Sequence, residues 1–114
     1  HSVALSRIRE IEPTDVLPPI TAYTMMRVCK LPLLPYFHPG DMALAEAVAK
    51  LAKTHHAVLL TNHCPVITGK DLGTTADAAQ ELEKTAKLHL LLRDCDARLL
   101  TAEQVVESRE AFPS

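Results

Sequence analysis

Apolar positions recur with a helical period in two long stretches of this chain, and one short apolar run lies between them. Leu44, Val48 and Leu51 stand at i, i+4 and i+7 with alanines between them, and Glu46 and Lys50 make an i, i+4 pair on the polar side. Pro39-Gly40-Asp41 precedes them as a turn with an Asp N-cap, so a helix is predicted over 41–53. A longer helix is predicted over 74–93, where Ala79, Leu82, Ala86 and His89 share a face that Leu88, Leu91 and Leu92 widen. Thr74 and Asp77 read as a weak capping box at its start, and Glu83 and Lys87 pair on its wet side. Thr101-Ala-Glu-Gln104 is a full capping box and predicts a final short helix. Residues 57–62, Ala-Val-Leu-Leu-Thr-Asn, suit a strand buried on both faces, which 65–68 resumes before Gly69.

The earlier part of the chain is punctuated by proline, with six of the eight prolines between positions 13 and 39. Proline fixes φ and donates no backbone hydrogen bond, so 13–39 is read as loop and extended pieces without a helix. Residues 22–29, which hold no proline, are predicted as a strand. Residues 31–36, interrupted by Pro32 and Pro35, are extended at a sheet edge or in an irregular connection. The order strand, helix, strand, helix, helix describes a layered α/β domain with an open sheet edge.

Composition narrows the classes. At 114 residues the chain is one domain at most. Its 47% apolar and 23% charged residues are those of a globular protein. A formal net charge of −2 provides no basic field for nucleic acid or an anionic membrane. No transmembrane run or signal-peptide pattern is visible. Three widely spaced cysteines fit thiols in a reducing compartment better than a disulfide framework. The chain begins with His1, so processing or a missing segment is expected.

Candidate chemistry is sparse. Six histidines occur without HxH, HExxH or CxxC spacing, so no self-sufficient zinc motif is present. His55 and His56 enter a strand and are expected to face opposite ways as surface or packing residues. His89 is expected to pack and His38 to be solvated. Most carboxylates fall on solvated helix faces, and three glycines make no phosphate cradle. His63 stands apart because a buried strand delivers it to a sheet end, where side chains are held rigidly yet open to ligands. Its neighbour Cys64 is expected to face away from it.

Several segments appear in a familiar order: 16–23 (Val-Leu-Pro-Pro-Ile-Thr-Ala-Tyr), 31–36 (Leu-Pro-Leu-Leu-Pro-Tyr), Pro39-Gly-Asp41, Leu59-Leu-Thr-Asn-His63, Gly69-Lys70 and the Glu81-Leu-Glu helix. Together they resemble the C-terminal half of the class II aldolase/adducin family, closest to its 3-oxo-tetronate 4-phosphate decarboxylase branch. The resemblance runs from His1 to about Val106, and residues 1–114 are expected to be the C-terminal portion of a single such domain. It implies a three-layer α/β/α fold, a cytoplasmic homotetramer and a divalent metal, usually Zn2+, held by three histidines. Two of those come from an upstream HxH motif, and His1 falls just after it. His63 matches the third, metal-binding histidine. Tyr23 matches a catalytic tyrosine that donates a proton in a neighbouring subunit's site. Cys64 and Cys29 stand where the family has glycine, and each adds a side chain where a positive φ or close approach is expected.

The implied activity is a metal-dependent carbon–carbon lyase, an aldolase or decarboxylase, acting on a phosphorylated sugar or sugar acid. On this reading the chain lacks the N-terminal catalytic half and is inactive alone. The alternatives are a catalytically inactive remnant or interaction module of the same fold, and a small α/β binding domain in which His63 is structural.

Overall fold

The run 57–60 is buried at every position, and strand alternation sends Ala57 and Leu59 into one apolar cluster and Val58 and Leu60 into another. The computed structural model describes residues 1–8 and 13–112, with 24 and 25 described by their backbone alone. In chain order the elements are helices α1 (Ser2–Leu5) and α2 (Ala22–Arg27), strand β1 (Leu33–Leu34), helix α3 (Met42–Ala52), strands β2 (Ala57–Leu60) and β3 (Pro65–Ile67), and helices α4 (Leu72–Leu92) and α5 (Ala102–Ala111). The sheet order is β1-β2-β3. β1 runs parallel to β2, with Leu33 opposite Leu59, and β3 runs antiparallel to it, with Ala57 opposite Ile67.

The two clusters define the layers. On one face Ala57 and Leu59 meet Leu5 of α1, Leu31, and Leu82 and Ala86 of α4. On the other, Val58, Leu60 and Leu34 meet Leu44, Val48 and Leu51 of α3. The architecture is helix, sheet, helix, the α/β class expected from the pattern. Among the described residues no helix is long and apolar enough to cross a membrane.

Local signals explain α3 and α5. Asp41 Oδ1 accepts from the Ala43 N–H at 2.9 Å, capping α3 as predicted. At α5 the Gln104 N–H donates to Thr101 Oγ1 at 3.2 Å and the Thr101 N–H to Gln104 Oε1 at 2.9 Å, closing the capping box. α4 begins earlier than expected, because Asp71 rather than Thr74 is its cap and accepts from the Thr74 N–H at 2.7 Å. Its buried stripe is Ala78, Glu81, Leu82, Thr85 and Ala86, while Leu91 is 66% exposed.

Residues 22–27 form a helix, not the strand the proline-rich context suggested. Proline bars a helix interior only, and none lies between Pro19 and Pro32. Ala22, Met25, Met26 and Arg27 favour a helix, and α2 packs against α4 and α5. The helix is left through Cys29 at φ 59°, the left-handed position at which helices commonly place glycine. An L-residue there costs about 1–2 kcal/mol, partly offset by the freedom glycine has when unfolded. Cys29→Gly is therefore expected to stabilise the protein by about 0.5–1 kcal/mol. The measurement is a higher urea midpoint at unchanged m-value.

Asp15 ties the proline-rich segment to the sheet. Its Oδ1 accepts from the Leu31 N–H at 3.1 Å, and the Val16 N–H donates to the Leu31 carbonyl at 2.8 Å. Burial raises the Asp15 pKa, outweighing that bond and the nearby Lys30, Arg109 and His55. With the folded pKa above the unfolded one, its contribution to stability is complete below the ordinary carboxylate range and is lost as pH rises through the folded value. Asp15→Asn, which keeps the acceptor, is expected to melt higher than wild type at pH 7, with the advantage absent at pH 3. Thermal melts across that range provide the check.

Candidate functional site

The turn after β2 holds His63. The strand expected over 57–62, with 65–68 resuming it, is instead a hairpin, because the chain reverses over Thr61-Asn62-His63 and β3 returns beside β2. The His63 N–H donates to the Leu60 carbonyl at 3.1 Å, and the Leu60 N–H to the Cys64 carbonyl at 3.0 Å. Asn62, with φ 55°, occupies the turn position that demands a left-handed backbone, which Asn tolerates better than most L-residues. The Asn62 N–H donates to the Ser6 carbonyl at 3.0 Å, and Ser6 Oγ donates to the His63 carbonyl at 3.5 Å, so the residue after α1 buttresses the turn. Thr61 Oγ1 donates to the Leu34 carbonyl of β1. The His63 backbone is thus fixed from two directions while its ring stays exposed.

Beside the ring lies a cavity of about 210 Å³ walled by Tyr36, Phe37, Leu44 and Thr61. His63 Nδ1 lies 2.8 Å from Cys64 Sγ. The expectation that these neighbours face apart is therefore corrected: they sit in a turn, where strand alternation does not apply. The positive φ expected for glycine-like positions falls on Cys29 and Asn62 among the described non-glycine residues, not on Cys64.

A metal-binding histidine uses one ring nitrogen while the other is held by a neighbour, and with Nδ1 beside Cys64 the remaining Nε2 of His63 meets that pattern. His63 fits as one ligand. No group of three or more His, Cys, Asp or Glu side chains suited to a metal occurs among the described residues, so they do not complete a set.

Tyr23 is 55% exposed on α2 and does not line the cavity beside His63. The Arg27 guanidinium lies 5.8 Å from its ring centroid, and Asp77 of α4 sits 3.9 Å from Arg27. This array escaped the sequence reading because Tyr23 and Arg27 are neighbours only at helical i, i+4 spacing. Arg27 and Asp77, but not Tyr23, line a cavity of about 420 Å³ together with His56, Lys70 and Thr74.

The remaining histidines keep ordinary roles or gather elsewhere. His38 is exposed, with Nε2 3.6 Å from Asp41. His89 is half-buried, and burial with the nearby Arg93 lowers its pKa. Two carboxylates depart from the solvated faces expected of them. Glu81 is buried and accepts from Thr21 Oγ1 at 3.3 Å, and Glu83 accepts from the Ser2 hydroxyl and, at 3.2 Å, from the Ser2 N–H.

Residues 1–90 match the family model of the Class II Aldolase and Adducin N-terminal domain. The 3-oxo-tetronate 4-phosphate decarboxylase of Pectobacterium atrosepticum is 48% identical over 107 residues, covering 94% of this chain and 49% of that protein. The enzyme of the same name from Escherichia coli K12 is 43% identical over 108 residues, covering 95% and 51%. The crystal structure of YgbL from Klebsiella pneumoniae superposes with a TM-score of 0.91 at 42% identity, covering 96% of this chain and 53% of that one. L-fuculose 1-phosphate aldolase shares the fold, with a TM-score of 0.80 at 23% identity over 99% of this chain and 51% of its own. The chain spans about half the length of the curated relatives it matches.

Proposed function

This chain belongs to the class II aldolase and adducin family, and on that premise we propose that it is the C-terminal portion of a carbon–carbon lyase domain. The substrate is a phosphorylated sugar acid, 3-oxo-tetronate 4-phosphate, and the reaction is decarboxylation. The observation that supports this most is the identity of 43–48% to decarboxylases of that name, joined to a turn that presents His63 beside a cavity.

Loss of carbon dioxide from a 3-oxo acid leaves an enolate, so the site must hold the oxygen on which negative charge develops. A bound divalent ion, Zn2+ on this reading, supplies positive charge for that purpose. His63 would be one of its ligands, with the others outside the described residues. The hairpin fixes the His63 backbone, and Cys64 engages Nδ1. Tyr23 acts as a proton donor toward the site of another copy, a role that its exposure and its separation from the His63 cavity support. The complete protein on this reading is a cytoplasmic homotetramer.

The test is carbon dioxide release from 3-oxo-tetronate 4-phosphate by the complete protein, with metal content measured on the same sample. Turnover with about one divalent ion per chain is expected. Absence of turnover from a folded, metal-loaded protein overturns the substrate assignment.

A further inference from the structure

At the end of β2 opposite His63, three separate segments converge. Lys30 follows α2, Thr54, His55 and His56 follow α3, and Arg109 lies in the last turn of α5. With Cys29 they line a cavity of about 290 Å³. His55 and His56, expected to face opposite sides of a strand, instead precede β2 and border one basin. Lys30 and Arg109 carry positive charge, the two imidazoles can, and no lining residue is a carboxylate, in a chain whose net charge is −2. Among the described residues neither Lys30 nor Arg109 makes an ion pair. Asp15 is an opposing charge that Lys30, Arg109 and His55 attract, and its Oδ1 accepts from the Leu31 N–H.

The His55 ring is already oriented. Its Nδ1 lies 3.3 Å from the Leu51 carbonyl and 2.9 Å from Thr54 Oγ1. A carbonyl only accepts, so Nδ1–H donates to it, and Nε2 is left to donate to an anion when the ring is the imidazolium. An arginine fork, an ammonium group and imidazole donors suit a tetrahedral dianion better than a single carboxylate. At about 290 Å³ the basin is at the small end of ligand sites and suits a compact molecule rather than a nucleotide.

We propose that this basin binds the phosphate group of a small phosphorylated metabolite, at a site separate from the His63 turn. It does not depend on the reading of His63.

The experiment titrates the complete protein with inorganic phosphate and with glycerol 3-phosphate, each against chloride at matched ionic strength. The imidazole resonances of His55 and His56 are followed by NMR. Saturable shifts are expected, with a dissociation constant on the order of 1 mM. The double variant Lys30→Gln/Arg109→Gln should weaken binding at least about tenfold, and Asp15→Asn should tighten it, because the first removes two attracting charges and the second the opposing one. Neither variant touches the His63 turn, and the amide spectrum reports whether the double variant is folded. If it is not, Asp15→Asn alone carries the decision. An ester bound at least as tightly as inorganic phosphate marks a metabolite site, and an excluded ester assigns the basin to free phosphate. Shifts reproduced by chloride, or affinities unchanged by these substitutions, overturn the proposal.

Discussion

His63→Ala in the complete protein is expected to lower decarboxylase turnover about a thousandfold or more while leaving the melting temperature within a degree or two of wild type. The two halves of that expectation have separate physical sources. Charge stabilisation by a bound ion is worth several kcal/mol, and each 1.36 kcal/mol is tenfold in rate, so about 4 kcal/mol corresponds to three powers of ten. Stability is spared because the ring is exposed and, among the described residues, its hydrogen-bonding neighbour is the Cys64 thiol. The hairpin itself is closed by backbone bonds that alanine retains, from the His63 N–H to Leu60 and from the Leu60 N–H to Cys64. Metal content should fall in the same variant. A folded His63→Ala protein with near-normal turnover and metal would remove His63 from the site.

Leu59→Ala is expected to cost about 3–5 kcal/mol, a large share of the roughly 5–15 kcal/mol by which such domains are stable. Leu59 is fully buried in the central strand and packs with Leu5, Leu31 and Leu82, which are fully buried as well. Its backbone is pinned on both sides, opposite Leu33 in β1 and Pro65 in β3, so the strand cannot sink into the space a truncated side chain leaves. Leu91→Ala is the contrast. With that side chain 66% exposed, the same chemical deletion is expected to cost less than about 1 kcal/mol. Urea unfolding of both variants measures the difference, and a loss at Leu59 as small as that at Leu91 would contradict the layered core.

The signals that were legible along the chain are those whose cause is local. The Asp41 cap and the 44-48-51 stripe define α3, the Thr101–Gln104 box defines the start of α5, and the apolar run 57–60 marks β2, because capping and periodic burial depend on residues within a few positions of one another. His63 stood out as a candidate for the same reason, as a polar residue at the end of such a run, and its proposed metal-binding role rests on the resemblance of neighbouring letters to the family.

Other features needed the folded chain. Residues 22–27 were obscured as a helix by the prolines on either side, and they form one that packs against α4 and α5 and brings Arg27 beside Tyr23. The reversal at Asn62 turned one expected strand into two and placed Cys64 Sγ against His63 Nδ1, since a positive φ redirects the chain in a way that apolar patterning does not encode. Lys30, His55, His56 and Arg109 are unremarkable where they stand in the sequence. They form one basin because the loop after α2, the turn after α3 and the last turn of α5 are carried to the same end of β2. Electrostatic fields depend on distance through space rather than along the chain, so that basin exists only once the layers have packed.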